Sequence, residues 1–509
     1  MRINMLDYWV RTVAEKGGET AVVDSCCELT FTMLDARSRI LATVLVSRLD
    51  GEIKRPIAVY MKKSVHSIVS DIAITYSGNA YMNLDVKTPA ARLSGIIDLI
   101  QPALVLTDAL NEKTLSAFCP PEMILNVEGI HWDNAYDDSG AIEAQWARLI
   151  DTDPLCIINT SGSTGVPKGV VLNHRSFIDF AEWAKEVPGI GDKEVVGSLS
   201  PIVFDIFSFE LCMLMAKGST LILLDGGLAA FPAKLMQILA EKKVTFIFWV
   251  PTIMVNIANM GLLERIPLPY LKTVWFAGEV FPTKQFNVWH RNLPDAKFIN
   301  LYGPIEITLD CTYFIVDRKL RDDEPIPIGS ACKNTEILIL NDEDKLCGVN
   351  EEGELWVRGT SLAMGYYNNP EKTALAFVQN PLNHSYPELI YRTGDIAFKN
   401  ERGEIIFKGR KDTLVKHLGY RIELGEIEHV IINTLKLVDN GCIVYDHAQK
   451  DIVFYYERSD EISVLEFRRR IGEVLPKYMI PTKYVRLDEM PRNTNGKIDR
   501  LKLEEITVQ

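Results

Sequence analysis

Residues 159–170, Asn-Thr-Ser-Gly-Ser-Thr-Gly-Val-Pro-Lys-Gly-Val, join small hydroxylated residues and glycines to a single lysine, the composition of a phosphate cradle. In such a loop backbone N–H groups point at an anion, and the hydroxyls of Thr160, Ser161, Ser163 and Thr164 add donors around Gly162 and Gly165. Lys168 supplies a neutralising charge. The stretch is not a P-loop: counting from Gly162, Pro167 stands where the second glycine belongs and Gly169 where the hydroxyl belongs. Pro167 also pushes Val166 toward extended backbone, so the lysine leads into the apolar run Gly-Val-Val-Leu instead of opening a helix. The expected ligand is a phosphate-like anion held by a loop.

Periodicity shows which elements must position that loop. From about residue 56 to 305, short apolar runs alternate with helical patterns: PIAVYM, SVHSIVSDIAITYSGN and ALVLTD read β, α, β, and the rhythm returns from STLILLD through KFINLYG. Strands buried on both faces and separated by helices call for an α/β chain of parallel sheets flanked by helices, with ligands beyond the strand ends. From about 325 to 408 the runs EILILNDEDK, GELWVRG and GEIIFKG shorten and carry turn residues, which predicts a small antiparallel β subdomain. A boundary at residues 407–412 then separates a large domain, 1–408, from a small α+β domain, 409–509.

Composition excludes several classes. With 47% hydrophobic and 24% charged residues the 509-residue chain is an ordinary globular protein of two or three folding units. A net charge of −13 argues against a nucleic-acid partner, because phosphate backbones demand a clustered basic surface. The acid excess lies in the large domain, since residues 410–509 carry 17 basic and 17 acidic residues. Nine scattered cysteines without paired metal spacing read as reduced thiols. The N-terminus lacks a signal-peptide core, and the longest apolar stretch, 244–258, is broken by Pro251 and Asn256, so no membrane span is expected and the location expected is cytoplasmic.

Four further stretches follow the loop in order: NLYGPIE (300–306), YRTGD (391–395), GRKDTLVKHLGYRIELGEIE (409–428) and NGKIDR (495–500). Together the five resemble the adenylate-forming (ANL) enzymes, specifically the amino-acid adenylation domains of nonribosomal peptide synthetases and the free-standing D-alanine:carrier protein ligases. The resemblance spans nearly the whole chain. It implies MgATP as cosubstrate, a mobile C-terminal lid, and a role for each motif. Tyr302 offers a face for adenine and Asn300 an amide for the base edge, with Gly303 between them and Glu306, a hard oxygen ligand for Mg²⁺. Asp395 is implied to hold the ribose hydroxyls, Arg410 to contact the nucleotide, and Asp412 to be the hinge. Gly419, lacking a β-carbon, lets the backbone line a tunnel for a thiol arm. Lys497 is implied to reach into the active site and bridge substrate carboxylate and phosphate. Two positions depart from the family pattern: Asn159 replaces a tyrosine and Ile305 a threonine near the α-phosphate.

Within SPIVFDIFSFE, Asp205 stands where amino-acid-activating members keep a carboxylate for the substrate ammonium; a helix cap is the plain alternative. Carrying over the family's remaining pocket positions gives Ile206, Phe209, Phe248, Trp275, Ala277, Leu301, Leu309 and Asp310. Bulky walls leave a small cavity, so a small amino acid is expected: serine first, with Asp310 accepting its hydroxyl, then proline or alanine, including D-alanine. The expected reaction is amino acid adenylation followed by transfer to the phosphopantetheine of a separate carrier protein, since the sequence ends twelve residues after Lys497. Two alternatives stay open: an acyl- or aryl-CoA ligase, and a nucleotide-binding homologue with impaired catalysis.

Overall fold

The computed structural model describes residues 3–132, 136–160, 167–186, 190–191, 193–411, 414–438, 440–457, 462–492 and 498–508. They divide into a large unit of residues 1–86, 102–158 and 169–411 and a smaller unit of 87–101, 159–168 and 412–509. The division after Lys411 differs from the boundary read at 408. Strand Ile405–Arg410 continues pairing with strand Leu389–Lys399 as far as Arg410 opposite Asp395, which keeps the GRK segment with the large unit.

A nine-stranded sheet runs in the order Ser330–Ala331, Thr312–Ile315, Lys297–Tyr302, Thr273–Phe276, Phe246–Trp249, Val195–Ser198, Thr220–Leu223, Thr20–Val23, Glu28–Thr30. Its six central strands, from Lys297–Tyr302 to Thr20–Val23, are parallel, and the outer strands pair antiparallel. A seven-stranded sheet is built around Pro56–Tyr60, whose five residues are all buried. Both show the continuous apolar strands that helices on two faces require. The stretch 244–258 is strand Phe246–Trp249 turning at Pro251 into helix Pro251–Asn259, and among the described residues no helix is long and apolar enough to cross a membrane. A five-stranded antiparallel sheet, Thr335–Leu340 to Ile405–Arg410, forms the expected β subdomain, beginning about ten residues later than 325 because Ser330–Ala331 closes the edge of the nine-stranded sheet. None of the nine cysteines is disulfide-bonded.

The smaller unit is α+β. Strands Asn440–Asp446 and Asp451–Glu457 pair antiparallel, Lys483–Leu487 adds in parallel, and helices Leu424–His429 and Val464–Gly472 contribute Ile427, Phe467 and Ile471 to its core. Arg92, from helix Ala90–Ile100, pairs with the buried Glu426.

Candidate active site

Strand Lys297–Tyr302 ends the parallel part of the nine-stranded sheet and delivers Tyr302 to a polar corner. The Tyr302 hydroxyl donates to Asp395 Oδ2, while Arg410 Nη1 donates to Asp395 Oδ1 at 2.6 Å and Nη2 to the Thr393 carbonyl at 3.0 Å. Asp395 N–H is itself bonded to Thr393 Oγ1 at 3.0 Å, so the carboxylate is fixed from its own backbone. Burial, reinforced by the Asp395 charge, pushes the Tyr302 phenol well above its ordinary value, so Tyr302 stays a donor. Three residues expected to touch the nucleotide thus meet, although 93 positions separate Tyr302 from Asp395. Phe407 packs on Tyr302 with ring centroids 6.2 Å apart. Asn300, in contrast, gives its amide to the Pro327 carbonyl at 2.8 Å.

Beyond Tyr302 the chain turns sharply. A Cβ on Gly303 would lie 2.2 Å from the Leu309 carbonyl oxygen, so only glycine fits. The 3₁₀ turn Ile305–Ile307 presents a fully buried Glu306, whose Oε1 accepts from the Tyr366 hydroxyl at 2.9 Å. Thr308 and Leu309 have φ of +54° and +68°, the left-handed region costly for β-branched and bulky residues, and this bend reverses the chain so that Thr312–Ile315 pairs antiparallel with Lys297–Tyr302.

The side-chain positions form a wall of packed rings. Phe248 and Trp275 are register partners on neighbouring parallel strands and therefore share a face. Phe209, from helix Asp205–Lys217, stacks on Trp275 at 5.2 Å and meets Phe248 edge-on at 5.5 Å. All three are buried, as are Ile206, Ala277, Leu301, Leu309 and Asp310. Trp183, on helix His174–Glu186, backs Trp275 at 6.0 Å and Tyr313 at 5.1 Å. Neither indole N–H of this pair has a hydrogen-bond partner among the described residues. Sequence reasoning missed Trp183: on an amphipathic helix an aromatic reads as core.

Asp205 is the first residue of its helix, half-buried, with Oδ1 accepting from Ile206 N–H at 2.9 Å. The N-cap position is Phe204, which makes no side-chain cap bond, and Asp205 instead satisfies a first-turn N–H of its own helix, so a structural role stands beside the substrate role its motif implies. A carboxylate in a helix's first turn is favoured by the helix dipole.

In the smaller unit, Thr160 ends strand Pro154–Thr160 and Lys168 begins strand Lys168–Asn173. The Thr160 hydroxyl and both amide atoms of Asn159 are buried without a partner among the described residues. Ser161, Gly162, Ser163, Thr164, Gly165, Asp412 and Lys497 lie outside the described residues. Gly419 and Leu418, with φ of +83° and +52°, form the tight turn between strands Leu414–His417 and Tyr420–Glu423, a turn that demands left-handed backbone and by itself accounts for the glycine.

Comparison with known proteins agrees with this architecture. Residues 9–367 match the family model described as AMP-binding enzyme, and the chain belongs to that family. It is 30% identical over 492 residues to tyrocidine synthase 1 of Brevibacillus parabrevis, covering 95% of this chain and 43% of that protein; it thus spans less than half the length of that relative. Zwittermicin A synthase ZmaJ of Bacillus cereus is 30% identical over 491 residues, covering 95% of this chain and 91% of its own length. In structure, the Vibrio cholerae adenylation domain AlmE in complex with glycyl-adenosine-5'-phosphate superposes with a TM-score of 0.85 at 20% identity, covering 100% of this chain and 98% of that one. The o-succinylbenzoate CoA synthetase of Bacillus subtilis superposes with a TM-score of 0.82 at 18% identity, covering 99% and 98%. The fold is therefore shared with both an adenylation domain and a CoA synthetase.

Proposed function

We propose that this chain activates a small amino acid. A carboxylate oxygen of the amino acid attacks the α-phosphorus of ATP, pyrophosphate leaves, and a phosphopantetheine thiolate of a carrier protein then attacks the acyl carbon and releases AMP. Dividing the acylation in this way makes each step a displacement with a good leaving group, and no residue of the chain needs to be acylated.

The observation that carries the reading is Asp205, half-buried at a helix N-terminus and four residues before Phe209 of the aromatic wall. Its carboxylate is the partner a substrate ammonium needs, a group that acyl and aryl acids lack. The packed Phe209, Phe248 and Trp275 favour a side chain of a few atoms, and the buried Asp310 keeps serine first, before proline and alanine. In the corner, Asp395 and Arg410 would orient the ribose and Tyr302 the base. Thr160 supplies a buried hydroxyl with no partner among the described residues, next to the loop assigned to the phosphates. Glu306 fits a magnesium site as a single buried carboxylate, because Mg²⁺ takes one or two carboxylates and completes its shell with phosphates and water. Bound there, the ion would offset charge on the phosphates. Lys168 and Lys497 keep the roles their motifs imply.

The test is Asp205→Ala. Its KM for the amino acid in pyrophosphate exchange should rise about 10- to 150-fold, as expected when a charge-assisted hydrogen bond is lost, while ATP binding is retained. An unchanged amino-acid KM, or thioester formation with free CoA from carboxylic acids lacking an amine, would overturn the reading.

A further inference from the structure

Lys63 lies between strand Pro56–Tyr60 and helix Val65–Tyr76, yet its ammonium serves a different part of the large unit. Nζ donates to the carbonyls of Ser198 at 2.6 Å and Ser200 at 2.8 Å and to Ser198 Oγ at 3.2 Å, which uses all three ammonium donors. The Ser198 hydroxyl in turn donates to Glu210 Oε2. Ser198 and Glu210 are fully buried. Burial pushes the Lys63 ammonium down and the Glu210 carboxyl up, and the attraction between them opposes both shifts.

Ser198 is the last residue of strand Val195–Ser198, and Glu210 lies on helix Asp205–Lys217. The connection between these elements, residues 199–204, ends at Asp205. One cation from the loop after a strand of the other sheet therefore grips the start of this connection at two carbonyls and, through one hydroxyl, the helix that follows it. Without that cation two carbonyls would lose a donor and the buried Glu210 the opposite charge that offsets its burial, which ordinary apolar packing of a loop never requires.

We propose that Lys63, Ser198 and Glu210 are a positioning network that sets where Asp205 presents its carboxylate to the substrate ammonium. The proposal rests on the amino-acid reading of Asp205. Its consequence is selective: a loosened connection lowers affinity for the amino acid and leaves the nucleotide corner, built on Tyr302, Asp395 and Arg410, untouched.

Pyrophosphate exchange separates the two KM values, and Ser198→Ala is the mildest probe because it keeps both charges. It should raise the amino-acid KM by about fivefold, the effect of one hydrogen bond, with the ATP KM and the unfolding temperature nearly unchanged. Lys63→Met should raise it by at least ~10-fold, and Lys63→Arg should recover part of the loss, since a guanidinium also reaches several acceptors. Equal rises in both KM values, or a lowered unfolding temperature with an unchanged amino-acid KM, would overturn the network. Asp205→Ala run alongside distinguishes the levels: if it raises the amino-acid KM and Ser198→Ala does not, the network fails and the reading of Asp205 stands. If neither changes it, both fail.

Discussion

The corner around Tyr302 and the wall around Trp275 stand on neighbouring strands of one sheet, and opposite kinds of contact hold them. At the corner, Asp395 accepts from Tyr302 and Arg410, and each bond is directional and charge-assisted. At the wall, Phe209, Phe248 and Trp275 meet through ring faces and edges 5.2 to 5.7 Å apart. A directional network fails when one atom is removed, whereas packed rings respond to volume, gradually. On the proposed function, the corner would hold a ligand that never varies, the nucleotide, and the wall would meet the part of the substrate that distinguishes one enzyme from another.

The sharpest way to break this contrast is Asp395→Asn. Hydrogen bonds to a charged group contribute about 1.5 to 3 kcal/mol each, so weakening two of them should lower exchange at least ~100-fold whatever amino acid is supplied. A loss below about tenfold would show that the corner does not hold the nucleotide.

At the wall, Trp275→Leu should shift preference instead of abolishing activity. Opening a few carbons of space changes the ratio of kcat/KM for leucine over the best small amino acid by about 10 to 200-fold, measured by exchange. An unchanged spectrum would place the substrate side chain elsewhere. A smaller effect is expected for Asp310→Leu: if serine is the substrate, its preference over alanine should fall by about 5 to 100-fold, and an unchanged ratio would show that Asp310 does not read the hydroxyl.

Asp71 sharpens the comparison from a different side, as a buried carboxylate with no ion pair among the described residues. Its Oδ2 accepts from Asn83 Nδ2 at 3.1 Å, and Oδ1 has no partner among the described residues. Burial raises its pKa from 3.8 to about 8, only partly offset by Asn83. The folded chain therefore keeps a proton over that interval that the unfolded chain has released, so this group makes stability fall as pH rises through it. Asp71→Asn should reduce the drop in unfolding temperature between about pH 5 and about pH 8 by several degrees, with little effect on exchange. An identical slope in the variant would contradict the buried neutral acid.

Much of this was legible in the sequence for a physical reason. Parallel strands buried on both faces must be continuously apolar, so Pro56–Tyr60, Phe246–Trp249 and Thr273–Phe276 lie where the pattern places them. The motifs also singled out Tyr302, Asp395 and Arg410, which meet although distant in the chain, because motif chemistry fixes polar residue types. Packing and ion pairing were not legible. Trp183 reads as an ordinary helix aromatic, and Lys63, following Lys62, as a surface charge. Arg469 is 59% exposed and paired with Glu466 and Glu473 on its own helix, contacts that composition does not reveal. The structure divides after Lys411, a few residues past the boundary read at 408, because of a ladder partner, Asp395 for Arg410, that cannot be seen in local composition.

The central claim, activation of a small amino acid, is tested most directly by ATP–pyrophosphate exchange across the common L- and D-amino acids, with a parallel panel of carboxylic acids and CoA. The account predicts exchange that depends on a small amino acid, strongest with serine, proline or alanine, and no CoA thioester. Exchange driven only by an acid without an amine, or ATP binding with no exchange for any amino acid, would contradict it.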